Sequence, residues 1–169
     1  MRRVMVAVTV GLLGSTTLVH AQDLTFSIAP TQSCLASTAD PAARRACAGK
    51  AAEACMVNDP YGETTVGMSS CLDQEVRQWD GWLNAAYGSL LAKAQASDAE
   101  AEKWGTSGPK ITPALREMQR KWIAYRDTTC DFEMSQWGGG SGTGPAGLNC
   151  LLRLTADQAI YLEQAWLGD

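Results

Sequence analysis

The residues of this chain that could take part in catalysis are mainly carboxylates. Asp73, Glu75 and Asp80 lie close together in the sequence, and a pair of carboxyl groups is the catalytic machinery of glycoside hydrolases. The single histidine, His20, lies in a segment that we expect to be removed. This excludes a histidine-activated nucleophile and a histidine-ligated metal from the mature chain. Because carboxylates at this density on a helix are typical of a solvated face, we predict a protein that is not an enzyme and uses no cofactor or metal.

The cysteines form the second chemically distinct group, and they are Cys34, Cys47, Cys55, Cys71, Cys130 and Cys150. An even number of cysteines in an exported chain favours disulfides over metal binding, and the C-x-x-C spacing of zinc sites is absent. The sequence does not select one connectivity. We favour the sequential set, Cys34 with Cys47, Cys55 with Cys71 and Cys130 with Cys150. Only the last pair has a structural argument, because Cys130 ends one helical run and Cys150 begins the next.

The N-terminus predicts export. Arg2 and Arg3 precede an apolar run over residues 4–13, and the small residues that follow end at Ala21. This is the layout of a secretory signal peptide cleaved after residue 21, and the run is too short to span a bilayer. No cysteine lies at the expected cleavage site, so we expect no lipid or membrane anchor. The mature protein is expected to be periplasmic or secreted.

The charge of the expected mature chain is negative. The full sequence has 14 basic and 18 acidic residues, and removal of the segment with Arg2 and Arg3 leaves a net charge of about −6. An acidic surface disfavours nucleic acid and attracts cationic proteins. A negative charge also aids solubility, so charge alone does not identify a partner.

The N-terminal half of the sequence predicts helices. Residues 22–39 show no sustained period and are expected to form a flexible leader before a single domain over residues 40–169. Asp40 and Pro41 are suited to begin a helix, which should run to Met56 through Gly49 and end in the turn 58–62. Apolar residues at spacings of three and four then predict a long helix over about residues 66–96. The capping-box pattern at 97–100 predicts a short further helix to Trp104.

The C-terminal half predicts two more helices around a glycine-rich loop. Thr112 and Pro113 are suited to begin the first. Its expected buried stripe comprises Leu115, Met118, Trp122, Tyr125, Thr129 and Phe132. The run GGGSGTGP over residues 138–145 is expected to be irregular, and the last helix should bury one side from Leu148 to Trp166. The predicted fold class is all-α: a small antiparallel helical bundle of three main helices plus an N-terminal helix, stabilised by disulfides.

The order of motifs in the second half resembles the LprI-type lysozyme inhibitors over about residues 71–162. Cys71 is followed by D-x-x-L-N-x-x-Y from Asp80, by Q-x-x-W-x-x-Y-R-D-x-x-C from Gln119, and by the glycine-serine loop, Cys150 and Thr155. The resemblance implies an exported helical protein that binds a lysozyme-type glycoside hydrolase and blocks peptidoglycan hydrolysis. An arginine is common in this family after the position of Thr155, where Gln158 stands here.

Two groups of residues are candidates for specific functions. In the polar motif of Asp80, Asn84, Arg126 and Asp127, we expect Arg126 to cross to Asp80 or Glu75 on the neighbouring helix and hold the bundle together. We expect Trp79, Trp122 and Tyr125 to lie in the core. In the loop over residues 137–147, the candidate partner-binding residues are Trp137, Gly139, Gly140, Ser141 and Gly142. The alternative is that this loop is a plain flexible connection between two helices.

Two functions are compatible with these features. The first is inhibition of lysozyme-type muramidases through the loop, with Ser141 near the loop tip hydrogen-bonding the two carboxylates of the enzyme cleft. The alternative is a periplasmic binding or structural module for envelope glycan or an envelope protein that inhibits nothing. The sequence leaves the oligomeric state open.

Overall fold

A computed structural model describes residues 24–165 of the chain. The six helices of this part are α1 (Ala29–Ala36), α2 (Pro41–Arg45), α3 (Lys50–Asn58), α4 (Thr65–Lys103), α5 (Ile111–Ser135) and α6 (Thr143–Gln164). No strand occurs between residues 24 and 165, so the all-helical prediction is confirmed. The expected signal peptide and Trp166 lie outside the described residues. None of the described helices is long and apolar enough to cross a membrane.

The core lies between the three long helices. Trp79, Leu83 and Leu90 of α4 pack with Leu152 and Ile160 of α6 in one buried cluster. Helix α5 contacts both α4 and α6, α3 packs on α4, α1 on α3, and α2 on α6. The three long helices therefore form the body of the protein, and the short helices cover part of α4 and α6.

Three disulfides hold these helices together, and they are the sequential set favoured from the sequence. Cys34–Cys47 joins α1 to the segment after α2, Cys55–Cys71 joins α3 to α4, and Cys130–Cys150 joins α5 to α6. Free cysteines are absent from the described chain. Each disulfide closes a short segment of 13 to 20 residues, so each one fixes a corner between two consecutive parts of the chain.

The N-terminal segment differs from the prediction in two places. Residues 29–36 of the expected leader form α1, and Thr31 in this helix is fully buried. The single helix expected over residues 41–56 is divided into α2 and α3 at Gly49, whose φ of +97° is in the left-handed region that side chains disfavour. Both predictions were wrong because contacts with α4 decide the local structure here. The expected cap is present, since Asp40 accepts a hydrogen bond from the backbone N–H of Ala43 at 2.8 Å.

The end of α4 and the start of α5 also differ from the prediction. Helix α4 does not stop near residue 96 but continues to Lys103, so the capping-box pattern at 97–100 begins no new helix. Asp98 instead accepts hydrogen bonds from the backbone N–H groups of Ile111 and Thr112, both at 2.8 Å. The carboxylate of α4 therefore caps α5, and Thr112 is not the cap. These backbone donors, that of Thr112 above all, lower the pKa of Asp98.

The buried side of α5 is also different from the predicted stripe. Leu115, Gln119 and Cys130 are buried, whereas Tyr125 and Phe132 are exposed. The disulfide of Cys130 turns this part of α5 towards α6. Phe132 lies two residues further on, about 200° around the helix, so it points away from the core. The assignment of Tyr125 to the core was wrong for the same reason.

Candidate functional site

The segment between α5 and α6 forms a tight corner, which we call the glycine corner (residues 136–142). It is shorter than the loop expected over residues 137–147, because α6 already begins at Thr143. Gly138 and Gly139 have φ values of +57° and +78°, which other residues rarely adopt. The backbone N–H of Gly140 donates to the carbonyl of Trp137 at 2.9 Å, and Thr143 donates to that of Gly140 at 3.0 Å. The corner is therefore a folded turn.

Packing explains two further glycines in this region. The ring of Trp137 lies against Gly142, and a side chain at residue 142 would overlap the indole. Gly147 is buried against the side chain of Met134 in the same way. Packing therefore accounts for glycine at both positions. Trp137 itself is 55% exposed, because only one side of its ring rests on the corner.

The outer surface of the glycine corner has unused hydrogen-bond donors. Ser141 is exposed, and its hydroxyl has no hydrogen-bond partner among residues 24–165. The backbone N–H groups of Gly139, Ser141 and Gly142 also have no acceptor in the described chain. They lie next to the N-terminus of the 22-residue helix α6, where the helix dipole favours negative charge. The corner is therefore suited to contact a carboxylate.

A groove of about 530 Å³ lies beside the corner, between α5 and α6. It is lined by Thr129, Phe132, Glu133, Gln136, Trp137, Ala146 and Asn149. Below it, the buried disulfide Cys130–Cys150 fixes the two helices, and Arg153 of α6 donates to Glu133 of α5 at 2.8 Å. The corner and its groove are thus held on a cross-linked base, which lowers the entropy lost when a partner binds.

The polar motif does not hold the bundle together as expected. Arg126 pairs with the adjacent Asp127 at 2.8 Å and lies 5.1 Å from the centre of the Trp122 ring. It does not reach Asp80 or Glu75. Asp80 accepts instead from Asn84, one turn further along α4, at 2.9 Å. The arginine and the asparagine are therefore both paired within their own helices; Asn84 is exposed and Arg126 is half-buried.

Glu75 holds the structure together in a way that sequence reasoning missed. This side chain is fully buried, whereas the density of carboxylates at Asp73, Glu75 and Asp80 predicts a solvated face. One carboxylate oxygen accepts from the hydroxyl of Thr31 at 2.7 Å, from the N–H of Gly49 at 2.9 Å and from the indole of Trp79 at 3.2 Å. The other accepts from the N–H of Ala52 at 2.7 Å. The available signal was position, because Glu75 lies on the apolar stripe three residues after Leu72 and four before Trp79.

Two further side chains, Gln158 and Trp82, have defined contacts. Gln158 is buried, and its side-chain amide donates to the side-chain oxygen Oε1 of Gln119 at 2.9 Å. This hydrogen bond joins α6 to α5 at the position where an arginine is common in the family. Trp82 packs edge-to-face on Trp79, with ring centres 4.8 Å apart. Both indoles line a cavity of about 370 Å³ next to Arg44. Within residues 24–165, no group of three or more histidine, cysteine or carboxylate side chains could hold a metal ion.

Comparisons with known proteins agree with the motifs. Residues 55–162 match the family described as Lysozyme inhibitor LprI. An uncharacterised 17.7 kDa protein in the puhA 5' region of Rhodobacter capsulatus is 30% identical over 139 residues, which cover 82% of this chain and 85% of that protein. An uncharacterised protein of Rhizobium meliloti (strain 1021) is 32% identical over 97 residues, 57% of this chain and 70% of the relative. No solved structure matches significantly. The matched region includes α4, α5, the glycine corner and nearly all of α6, and the chain belongs to the LprI family of lysozyme inhibitors.

Proposed function

We propose that this protein is an exported inhibitor of lysozyme-type muramidases, that it catalyses no reaction itself, and that the glycine corner binds in the enzyme cleft. The family match supports the class of partner. The observation that carries the binding site is the set of unused donors on the corner, the Ser141 hydroxyl and the backbone N–H groups of Gly139, Ser141 and Gly142. A muramidase cleft contains two carboxyl groups, which are suitable acceptors for these donors.

Three further features support this site. Trp137 offers an exposed indole at the base of the corner, and exposed tryptophans are enriched among the residues that dominate binding energies. The disulfide Cys130–Cys150 and the internal hydrogen bonds fix the corner before binding, which reduces the entropic cost. Finally, the negative net charge of the chain favours encounter with a cationic enzyme.

The test is an assay of peptidoglycan lysis with c-, g- and i-type lysozymes. We expect the wild-type protein to stop lysis by at least one of them at near-stoichiometric amounts. Ser141→Ala should weaken binding by roughly 1–2 kcal/mol, because hydrogen bonds to charged partners are lost. Trp137→Ala should weaken it by about 2 kcal/mol or more. Trp104→Ala is the matched control, since Trp104 is also exposed but lies at the distant end of α4 and should have no effect.

Exchange of the whole glycine run is a poorer test than these single changes. Gly138 and Gly139 require positive φ, and residues 143 and 144 already belong to α6. A linker without glycine would therefore disturb the fold as well as the contact. Full inhibition by both Ser141→Ala and Trp137→Ala would show that the contact surface lies elsewhere, and the surface around Trp82 is the next candidate.

The alternative, a module that binds envelope glycan without inhibition, has one feature in its favour. The cavity beside Trp79 and Trp82 has aromatic walls and the Arg44 guanidinium, and its volume of about 370 Å³ would accommodate a sugar ring. A glycan binder should sediment with purified sacculi and leave the lysis rate unchanged. Slow lysis without sedimentation supports the inhibitor, and sedimentation with unchanged lysis supports the alternative.

A further inference from the structure

The second half of α5 has aromatic side chains that the bundle does not cover. Tyr125 and Phe132 are 58% and 65% exposed. They are seven residues apart, which is about two turns, so they lie on the same side of the helix. Trp137 follows at the end of α5 and is 55% exposed. We refer to Tyr125, Phe132 and Trp137 as the aromatic face.

This exposure follows from the way α5 is anchored. The buried disulfide at Cys130 and the buried pair Gln119–Gln158 turn one side of α5 towards α6. Tyr125 and Phe132 lie on the opposite side, where the described chain has no helix to cover them. Large apolar side chains that are exposed next to one another are typical of protein contact surfaces.

The aromatic face continues into the groove beside the glycine corner. Phe132 and Trp137 line this groove, and Thr129, between Tyr125 and Phe132 on the same side of α5, lines it as well. A partner that contacts the corner would therefore meet the aromatic face without crossing another helix. The two surfaces form one continuous area.

The charge of α5 changes sign along the helix and indicates what kind of partner fits. Residues 110–121 contain four basic side chains and one acidic side chain, whereas residues 126–133 contain one basic and three acidic ones. In the acidic half, Arg126 pairs with Asp127 and Glu133 pairs with Arg153. Asp131 is exposed and forms no ion pair within residues 24–165. These two ion pairs cancel, so Asp131, which is adjacent to Phe132, leaves one unpaired negative charge in this half of α5. That carboxylate complements a cationic group on a protein partner.

We propose that the aromatic face is a second contact surface for the muramidase, and that it binds a cationic area at the rim of the enzyme cleft while the glycine corner lies inside. This inference rests on the proposed function, which concerns the corner alone. It assigns Tyr125 and Phe132 to partner binding and makes the contact larger than the corner could provide.

The test is the affinity of Tyr125→Ser and Phe132→Ser for each lysozyme that the wild-type protein inhibits, measured by calorimetry. Each variant should raise Kd by roughly tenfold or more, because exposed aromatics at the centre of an interface carry much of its energy. Tyr161→Ser is the matched control, since Tyr161 is similarly exposed, at 53%, but lies on α6. The control should change Kd by less than about twofold.

The charge argument has a separate test. Asp131→Lys should slow association with a cationic lysozyme severalfold at low ionic strength, and the difference from the wild type should shrink as salt is added. An association rate that does not change, or that rises, would show that the partner offers no cationic area here and would overturn that part of the proposal.

Because a variant that folds poorly would also lose affinity, the contact is measured on the wild-type complex as well. Hydroxyl-radical footprinting should show protection of Tyr125 and Phe132 on complex formation, with Tyr161 unprotected.

Unchanged affinity of both serine variants together with unprotected side chains would overturn the second surface and leave the corner intact. If the wild-type protein forms dimers in solution and the serine variants do not, while their lysozyme affinity is unchanged, the face binds a second copy of the chain and the proposal is overturned. Absence of binding by the wild-type protein to every lysozyme tested would instead overturn the proposed function itself and this inference with it.

Discussion

The surroundings of Glu75 and the glycine corner are both organised by hydrogen bonds, but they use them in opposite ways. Around Glu75, four donors from α1, α3, α4 and the left-handed Gly49 converge on one buried carboxylate. At the corner, donors remain unpaired and face outwards next to an exposed indole. The difference suggests that the first region maintains the fold, whereas the second is available to a partner. The predictions below test this separation.

The largest effect on stability is expected at Glu75. Glu75→Gln places an amide N–H₂ where backbone and side-chain N–H groups now find an acceptor, so buried donors would face each other. The free energy of unfolding in urea should fall by about 3 kcal/mol. Asp73→Asn on the same helix is the control, because Asp73 forms only an exposed pair with Arg77 and should cost less than about 0.5 kcal/mol. Equal, small losses in both variants would contradict the structural importance of Glu75.

Two disulfides separate stability from binding. Replacing Cys130 and Cys150 by serine should cost roughly 3 kcal/mol on the chain-entropy argument, and removal of Cys34 and Cys47 should cost a similar amount. Only the first variant should also weaken lysozyme binding, because only that disulfide fixes the glycine corner. Urea unfolding measures the stability of both variants, and calorimetry measures their affinity for lysozyme. Equal losses of affinity would show that the two regions are not independent.

A smaller effect is expected at Asp98, a half-buried carboxylate that, like Glu75, accepts hydrogen bonds from backbone N–H groups. Asp98→Ala removes the cap of α5 and should lower the melting temperature by a few degrees at neutral pH. Hydrogen bonds from Thr112 and Ile111 lower the pKa of Asp98 below its ordinary value of 3.8. The stabilisation is therefore complete above that value and is lost as the pH falls through the lowered one. A difference in melting temperature between wild type and variant that grows as the pH falls would contradict this sign. Asp131→Ala is the control, because it removes an aspartate of α5 that caps no helix.

The smallest effect is expected at Arg126. Its guanidinium contacts Trp122 and the neighbouring Asp127 near the surface, so Arg126→Ala should cost less than about 1 kcal/mol. Lys121→Ala, which removes another exposed ion pair of α5, provides the comparison by thermal melting. A loss near 3 kcal/mol would restore the expectation from the sequence that Arg126 crosses to a carboxylate of α4.

The features that could be predicted from the sequence are those that depend on neighbouring residues. The cap at Asp40, the turn after Asn58 and the long apolar side of α4 all appear where the local pattern places them. The disulfide Cys130–Cys150 joins two consecutive helices as predicted, although both cysteines lie inside α5 and α6 and not at the helix ends. In each case the deciding interaction lies within a few residues or between consecutive elements.

The missed features depend on residues far apart in the chain. Gly49 breaks a helix because Glu75, 26 residues later, accepts its N–H. Asp98 caps a helix that begins 13 residues further on, while its own segment stays helical as part of α4. The side of α5 that is buried depends on its disulfide and on Gln158 of α6. Periodicity marks an apolar side of a helix, but only the neighbouring helices determine how much of it is covered.

The length of α4 also determines how the protein can be handled. Its first turns lie beside the glycine corner, since Ser69 is next to Gly144, and it continues to Lys103 as one helix. At about 1.5 Å per residue, its far end lies roughly 50 Å from the corner. A fluorophore, an affinity tag or a surface tether attached near Trp104 would therefore lie far from the proposed binding site, so immobilisation through that end should leave the glycine corner free.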